Sequence, residues 1–232
     1  MLGIIGAMEI EVAELKKQMK NSNVTAVAGM DFFQGTLNGK EVVVVRSGIG
    51  KVNAAVCTQV LADRFQVSAI INTGIAGSLK KEINIGDIVL STDTVQHDMD
   101  ATGFGYPVGQ IPQMKEFSFQ ADEKLRALAA ECCLKVNPDI QVFQGRVVSG
   151  DQFVSDKVKK NWLTETFHGF CTEMEGAAIA QASYLNHIPF LIIRAISDKA
   201  DDSATMDYSE FEEKAAKHSV NLILAIVQEY SC

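Results

Sequence analysis

Proline is scarce in this chain: the 232 residues include 4, against 17 glycines. With 47% hydrophobic and 22% charged residues, that balance argues against disorder. It suits an α/β fold with glycine-rich strand-to-helix turns. Basic residues are outnumbered too, 21 Lys and Arg against 29 Asp and Glu, for a formal net charge of −8. A polyphosphate surface would be repelled overall, and no basic cluster stands out locally. Nucleic acid is therefore excluded as the expected partner, and a small molecule takes its place. No apolar run approaches the roughly 18–20 residues of a membrane span. The opening stretch MLGIIGAMEIEV lacks a basic n-region and is too short in its apolar part for a signal peptide. The five cysteines (Cys57, Cys132, Cys133, Cys171 and Cys232) form no C-x-x-C pair and are odd in number. They read as reduced thiols, so the expectation is a soluble, cytoplasmic protein with no membrane association.

Several chemical signatures are missing as well. Gly50-Lys51 is followed by Val52, and position 45 is Val, so there is no P-loop. Gly48-Ile49-Gly50 is followed by Asn at position 53, so the dinucleotide fingerprint fails. The G-x-S-x-G elbow of an α/β-hydrolase is absent. His97, Asp98 and Asp100 are potential metal ligands without two further ligands at sensible spacing, so no metal and no cofactor is expected. The other histidines, His168, His187 and His218, are scattered.

What is present is an alternation of strand and helix signals from end to end, with no repeat and no linker. Residues 2–6 read as a buried strand and the following AMEIEVAELKKQMK as a helix. Residues 31–37 and 41–47 read as a hairpin around Asn38-Gly39. Residues 51–65 suit a helix. Residues 68–73 suit a strand closed by Gly74-Ile75-Ala76-Gly77. Residues 86–91 and 140–149 suit strands, 121–134 a helix, and 189–196 the last buried strand. EGAAIAQASYL and the tail from Ser209 read as helices. The polar, glycine-bearing stretch 96–120 is longer than ordinary connections and reads as a functional excursion.

Ligands of α/β sheets bind outside the carboxyl ends of the strands. Those ends carry GAMEIE, SGIG, TGIAG, SGDQFV, TEMEG and ISD. Glu11, one turn into the first helix, alone reads as a solvated helix glutamate, a role that Glu9 fills better. Glu175 reads equally as a helix cap or as a carboxylate that accepts two hydrogen bonds from a ribose diol. Asp198 ends an apolar strand after Ser197 and points a carboxyl group into the crevice. Phe153 has a ring able to stack on a flat base, though alone it reads as core.

Together these pieces resemble the 5′-methylthioadenosine/S-adenosylhomocysteine nucleosidases of the nucleoside phosphorylase superfamily. The resemblance runs through G-I-I-G-A-M-E-I-E at 3–11, S-G-I-G-K-V at 47–52, N-T-G-I-A-G at 72–77 and G-D-I-V at 86–89. It continues through V-S-G-D-Q-F-V at 148–154, T-E-M-E-G-A-A-I-A at 172–180 and R-A-I-S-D at 194–198. Each piece is weak alone; seven in order are specific. The resemblance implies one domain over 1–232, a three-layer αβα fold with a mixed central sheet flanked by helices. It also implies a homodimer, and hydrolysis of the N-glycosidic bond of 5′-methylthioadenosine or S-adenosylhomocysteine, with 5′-deoxyadenosine a further candidate. The place of such chemistry is methionine salvage. Carried over by position, Glu11 is the base that activates water, Asp198 the acid that protonates adenine N7, and Glu175 the ribose ligand. Met174 lies beneath the sugar and Glu173 beside it. Phe153 stacks on the base, the Val154 backbone reads its edge, and Ala76 and Gly77 line the pocket. Met8, Ile49, Arg194, Ser197 and Tyr208 are further pocket positions. Phe104 and Pro112 match residues that a partner subunit lends to the 5′-alkylthio pocket. The chain departs from many relatives at Ile75, where they carry Ser, and that removes a hydroxyl beside the attacking water.

Three rivals stand beside this reading. A phosphorylase needs cationic or backbone-rich phosphate recognition, and such relatives carry a G-D-P-x-R type sequence where this chain has G-A-M-E-I-E. A non-catalytic nucleoside-binding module does not need both Glu11 and Asp198. A flavodoxin-like signalling domain gives the SGIG, TGIAG and EMEG turns no role.

Overall fold

The apolar runs of the sequence become the middle of one sheet. The computed structural model describes residues 1–201 and 203–230; Cys232, one of the expected free thiols, lies outside them. Strand β1 (Leu2–Gly6) pairs in parallel with β4 (Lys40–Arg46) and with β5 (Ala69–Ser78). β5 pairs in parallel with β10 (Phe190–Asp198) along its other edge. Strands covered on both faces must be apolar throughout, and Ile4, Ile5, Val42 to Val45, Ile70, Ile71 and Leu191 to Ile193 are fully buried.

The sheet is mixed. β2 (Lys20–Val27), β3 (Met30–Leu37) and β4 form an antiparallel ribbon at one edge. Its tight turn is Asn38-Gly39, both at positive φ (48° and 77°), the geometry that matches a hairpin's twist. At the other side the sheet curls until it closes. β10 pairs with β6 (Ile88–Gln96), β6 with β8 (Val142–Ser149), β8 with β9 (Cys171–Glu173), and β9 back to β5. The two-residue β7 (Phe119–Gln120) adds to β6.

Helices cover the sheet in two groups. α2 (Lys51–Phe65) packs on α5 (Gly176–Leu185), while α6 (Ala204–Glu229) packs on β10 and β5 and against α1 (Glu9–Gln18) and α3 (Glu123–Val136). α4 (Lys157–Phe167) lies by β8. The expected mixed central sheet flanked by helices is present, and one side of it curls on itself. Two strands also run further than their apolar runs suggest. β5 does not close at residue 73 but continues through Gly74-Ile75-Ala76-Gly77, because that stretch pairs with β10 and, at Gly77, with β9. β6 continues to Gln96, so the 96–120 excursion starts at a strand end. It contains one 3₁₀ turn, Thr102–Phe104. No helix among the described residues is long and apolar enough to cross a membrane.

Candidate active site

Strands β1, β5, β9 and β10 end around one cleft of about 410 Å³, and Ile49, Phe153 and Tyr208 stand at its rim. A wider groove of about 610 Å³ runs past Asp122, Glu123 and Tyr184, but neither of its acids is buried. The cleft gathers four buried acids instead: Glu11, Glu173, Glu175 and Asp198.

Glu11 is the third residue of α1, and its side chain folds back over the helix start. Oε2 accepts the N–H groups of Ala7 (2.7 Å) and Met8 (2.9 Å), and Oε1 accepts the Ile75 N–H (3.2 Å). Ala7 and Met8 lead into the first turn of α1, where backbone amides lack helical partners. Burial raises the Glu11 pKa; the nearby Arg194 charge and the three N–H donors oppose it. Gly74 makes this arrangement possible. A Cβ there would lie 2.7 Å from Glu11 Oε1 and 3.2 Å from Arg194 Nη1, so only a bare backbone leaves room for both groups.

Arg194 is fully buried in β10 and pairs with Glu173, through Nε at 3.1 Å and more tightly through Nη2. Its Nη2 also donates to Asn72 and its Nη1 to the Ile193 carbonyl (2.9 Å). Glu173 accepts the Ser149 hydroxyl and the N–H groups of Glu175 (3.2 Å) and Gly176 (2.8 Å). Glu175 precedes α5 without capping it. Its Oε1 instead takes the Gly50 N–H across the cleft at 2.8 Å. Burial first, then the Glu173 charge, raise its pKa.

Asp198 closes β10. Its Oδ1 accepts the Ala200 N–H (2.7 Å) and its Oδ2 the Ser197 hydroxyl (2.9 Å). Burial raises its pKa, and the charges of Asp207 and Asp201 raise it further against those two hydrogen bonds. Above it the Phe153 and Tyr208 rings meet edge to face, centroids 5.9 Å apart, and the Tyr208 hydroxyl donates to Met8 Sδ at 3.3 Å. Half of Phe153 is exposed, which leaves a ring face free for a flat ligand. No Lys, Arg or His is among the described residues that line the cleft.

The chain matches the phosphorylase superfamily over residues 1–228. A 5′-methylthioadenosine/S-adenosylhomocysteine nucleosidase of Bacillus pumilus is 44% identical over 229 residues, 98% of each chain. The Neisseria meningitidis nucleosidase of that name, solved with methylthio-immucillin-A, is 40% identical with a TM-score of 0.94 over 99% of each chain. The Colwellia psychrerythraea nucleosidase in complex with adenine is 40% identical with a TM-score of 0.93, over 97% of this chain and 93% of that one. The chain belongs to this nucleosidase family.

Within this nucleosidase fold, Glu11, Glu173, Glu175 and Asp198 share the cleft with Met8, Ile49, Ala76, Gly77, Phe153, Met174, Ser197 and Tyr208. Arg194 lies behind the cleft wall, engaged with Glu173. The Val154 side chain is buried with Leu163 and Phe167 and points away from the cleft lining, which leaves only its backbone for a ligand. Phe104 and Pro112 do not line this chain's own cleft, and Phe104 is 88% exposed. Two lining residues, Ala7 and Thr172, lie within the quoted motifs without being singled out as site residues. A threonine at a strand end reads as an ordinary β-former, so no sequence signal marks it. Glu9 is the solvated glutamate expected, paired with Lys16 at 2.8 Å and Arg46 at 3.9 Å. Asp98 holds Lys51 (2.6 Å) and the Asp151 N–H (2.9 Å), and Asp100 holds the Thr102 N–H (2.9 Å).

Proposed function

We propose that this chain hydrolyses the N-glycosidic bond of 5′-methylthioadenosine and S-adenosylhomocysteine, releasing adenine and the 5-thio-substituted ribose. The observation that carries the reading is the character of the cleft: converging buried acids, with no cation among the described residues on its surface. A phosphate dianion would meet Glu11 and Glu175 with nothing to hold it, which favours water as the nucleophile over phosphate. An oxocarbenium-like sugar gains from the same negative surroundings.

Each acid's partners support the role that the family resemblance implies for it. Asp198, raised by burial and by neighbouring acids, carries the proton that goes to adenine N7. The C1′–N9 bond then breaks, and its electron pair leaves with the base. Glu11, held toward its anionic form by three N–H groups and Arg194, accepts the proton of the water that attacks C1′. Glu175, with one oxygen tied to Gly50, has the other for the ribose diol. Met174 supports the sugar, Phe153 and Tyr208 enclose the base, and the Val154 backbone reads its edge. Ala76, Gly77, Ser197, Met8 and Ile49 complete the walls, and Ile75 takes the place of a hydroxyl near the water.

The exposed Phe104, with Pro112, belongs in this reading to the 5′-alkylthio pocket of a second subunit in a homodimer. Exposed Ile49 and Val52 near the cleft mouth support such a neighbour. The buried free thiols Cys57, Cys132, Cys133 and Cys171 support a cytoplasmic location. The test is adenine release from 5′-methylthioadenosine with phosphate removed and then restored. Release without phosphate, with free methylthioribose formed, is the expected result. Release only with phosphate makes the chain a phosphorylase, and no release in either condition makes it a binding module.

A further inference from the structure

Asp198 takes its backbone donor from a turn that another element holds. Its Oδ1 accepts the Ala200 N–H, two residues on, and Ala200 sits in the left-handed region at φ 51°. A non-glycine residue in that region is strained and persists only where its surroundings fix it.

Helix α4 supplies two such contacts. Ala200 is fully buried in the apolar cluster that contains Leu163 and Phe167 of α4. Lys160, three residues before Leu163, reaches the same turn. Its Nζ donates to the Lys199 carbonyl (2.5 Å) and to Asp201 Oδ2 (3.2 Å), so it grips the residues on either side of Ala200. The Lys160 and Asp201 side chains are only 16% and 22% exposed, which shields the pair from much of the solvent. The other Asp201 oxygen, Oδ1, accepts the Ser203 N–H (3.2 Å) at the start of α6.

We propose that Lys160 is a positioning residue for Asp198: it clamps the 199–201 turn to α4 and so keeps the Ala200 N–H on the carboxyl that serves the leaving base. This rests on the nucleosidase reading, in which Asp198 is the acid, and extends it to a residue that does not line the cleft.

The clamp also has an electrostatic side. The charged and titratable groups around Asp198 are Lys199 and Asp201 on its own turn, Lys160 from α4, and Asp207 and Tyr208 from α6. Across the cleft stand Glu11, Glu173 and Glu175. Burial raises the Asp198 pKa, and Asp207 and Asp201 add to that. Lys160 offsets the Asp201 charge. Its loss removes that offset and loosens the Ala200 N–H, and both changes favour protonated Asp198.

The experiment follows adenine release from 5′-methylthioadenosine against pH, without phosphate, for wild type, Lys160→Met, Lys160→Arg and Asp201→Asn, and the thermal melting of each. Lys160→Met keeps the long stem and loses the ammonium group. Its kcat is expected to fall about tenfold with KM within about threefold, because a misaimed acid is felt in the transition state. The alkaline limb of its kcat/KM is expected to move to higher pH. Lys160→Arg is expected to restore both. Asp201→Asn removes the opposite charge, so its alkaline limb is expected to move to lower pH. A Lys160→Met protein that melts lower yet keeps the wild-type kcat and limb overturns the proposal, because Lys160 then only stabilises the fold. Limbs that move the same way in Lys160→Met and Asp201→Asn overturn it too, as does an arginine variant no better than methionine. These outcomes concern Lys160 alone when wild type releases adenine without phosphate and Asp198→Asn does not. Wild type that releases none, or Asp198→Asn that turns over as wild type does, refutes the underlying reading and this inference with it.

Discussion

The two sides of the cleft use the same functional group in opposite surroundings. On the β1 side, Glu11 accepts three backbone N–H groups and lies near the Arg194 guanidinium. On the β10 side, Asp198 accepts one N–H and one hydroxyl and has Asp207 and Asp201 for charged neighbours. Burial raises both pKa values, but the counterweights differ. Four favourable partners pull Glu11 back toward its anion, while nearby acids push Asp198 further toward its protonated form. Pairs of carboxyls set apart by environment are how one site houses both an acid and a base at one pH.

The sharpest way to break this comparison is to remove one member at a time. Asp198→Asn and Glu11→Gln are each expected to lower kcat by about 10²–10⁴-fold while nucleoside binding stays within a few-fold. Stopped-flow or coupled assays of adenine release, with separate binding titrations, give both quantities. Wild-type kcat/KM should fall on the acid side as Glu11 gains its proton and on the alkaline side as Asp198 loses one. Residual activity of Glu11→Gln should lack the acid limb and that of Asp198→Asn the alkaline limb; exchanged limbs would reverse the assignment. Stability supplies an independent sign. A carboxyl whose folded pKa is raised binds more protons in the fold, so its contribution declines as pH rises above the ordinary carboxylate range. The Asp198→Asn variant should therefore melt above wild type at neutral pH, by a margin that shrinks on acidification.

A second variant shifts the counterweights without touching the reacting groups. Glu173 is the acid that occupies Arg194. Glu173→Gln leaves that buried charge short of its main partner and should cost about 3 kcal/mol of stability, read by urea unfolding. The freed guanidinium then acts more strongly on Glu11 and Glu175, so the acid limb of kcat/KM should move to lower pH. An unmoved limb would mean that Arg194 does not tune Glu11.

A third test lies just outside the cleft. His97 is buried against Gly150, and neither ring nitrogen has a partner among the described residues. Burial, reinforced by Lys159, pushes its pKa down to about 4 from the usual 6.5. The unfolded chain binds the proton first, so stability should drop as pH falls from 6.5 to about 4, by about 3 kcal/mol in all. Its slope is opposite to that of Asp198. Melting of His97→Asn across that range should lose this acid-side decline, and an unchanged decline would assign it to other groups.

Much of this was legible in the sequence because it follows from local chemistry. β1, β5 and β10 announce themselves as continuous apolar runs, and their carboxyl ends carry the acids. What escaped depends on neighbours. β2, KNSNVTAV, is exposed and polar along nearly its whole length and is a strand only because β3 pairs with it. α4 is short and polar, yet Asp156 caps it by accepting the Lys159 N–H, a start signal that was readable. Stretch 74–77 looks like a turn and is a strand, because its glycines serve the close approach of Glu11 and Asp198 and not a change of direction. Thr172 lines the cleft because β9 pairs there with β5, a pairing between distant segments.

The smallest expected effect tests the comparison most cheaply. Glu9 and Glu11 are two residues apart in the first turn of one helix, with the same charge and the same dipole. They differ in what surrounds them. The Glu9 side chain is 51% exposed and pairs with Lys16 and the exposed Arg46. Exposed pairs of this kind contribute about 0.2–1 kcal/mol, and a helix-start carboxylate adds a similar amount that salt screens. Glu9→Gln should therefore change unfolding free energy by less than about 1 kcal/mol, and by less still at high salt. Its kcat/KM should match wild type across the whole pH range, while Glu11→Gln at the next inward position loses orders of magnitude. Equal losses in the two variants would show that the helix dipole and the net charge of the first turn carry the catalytic effect. The buried web of Ala7, Met8, Ile75 and Arg194 around Glu11 would then have no special part in it.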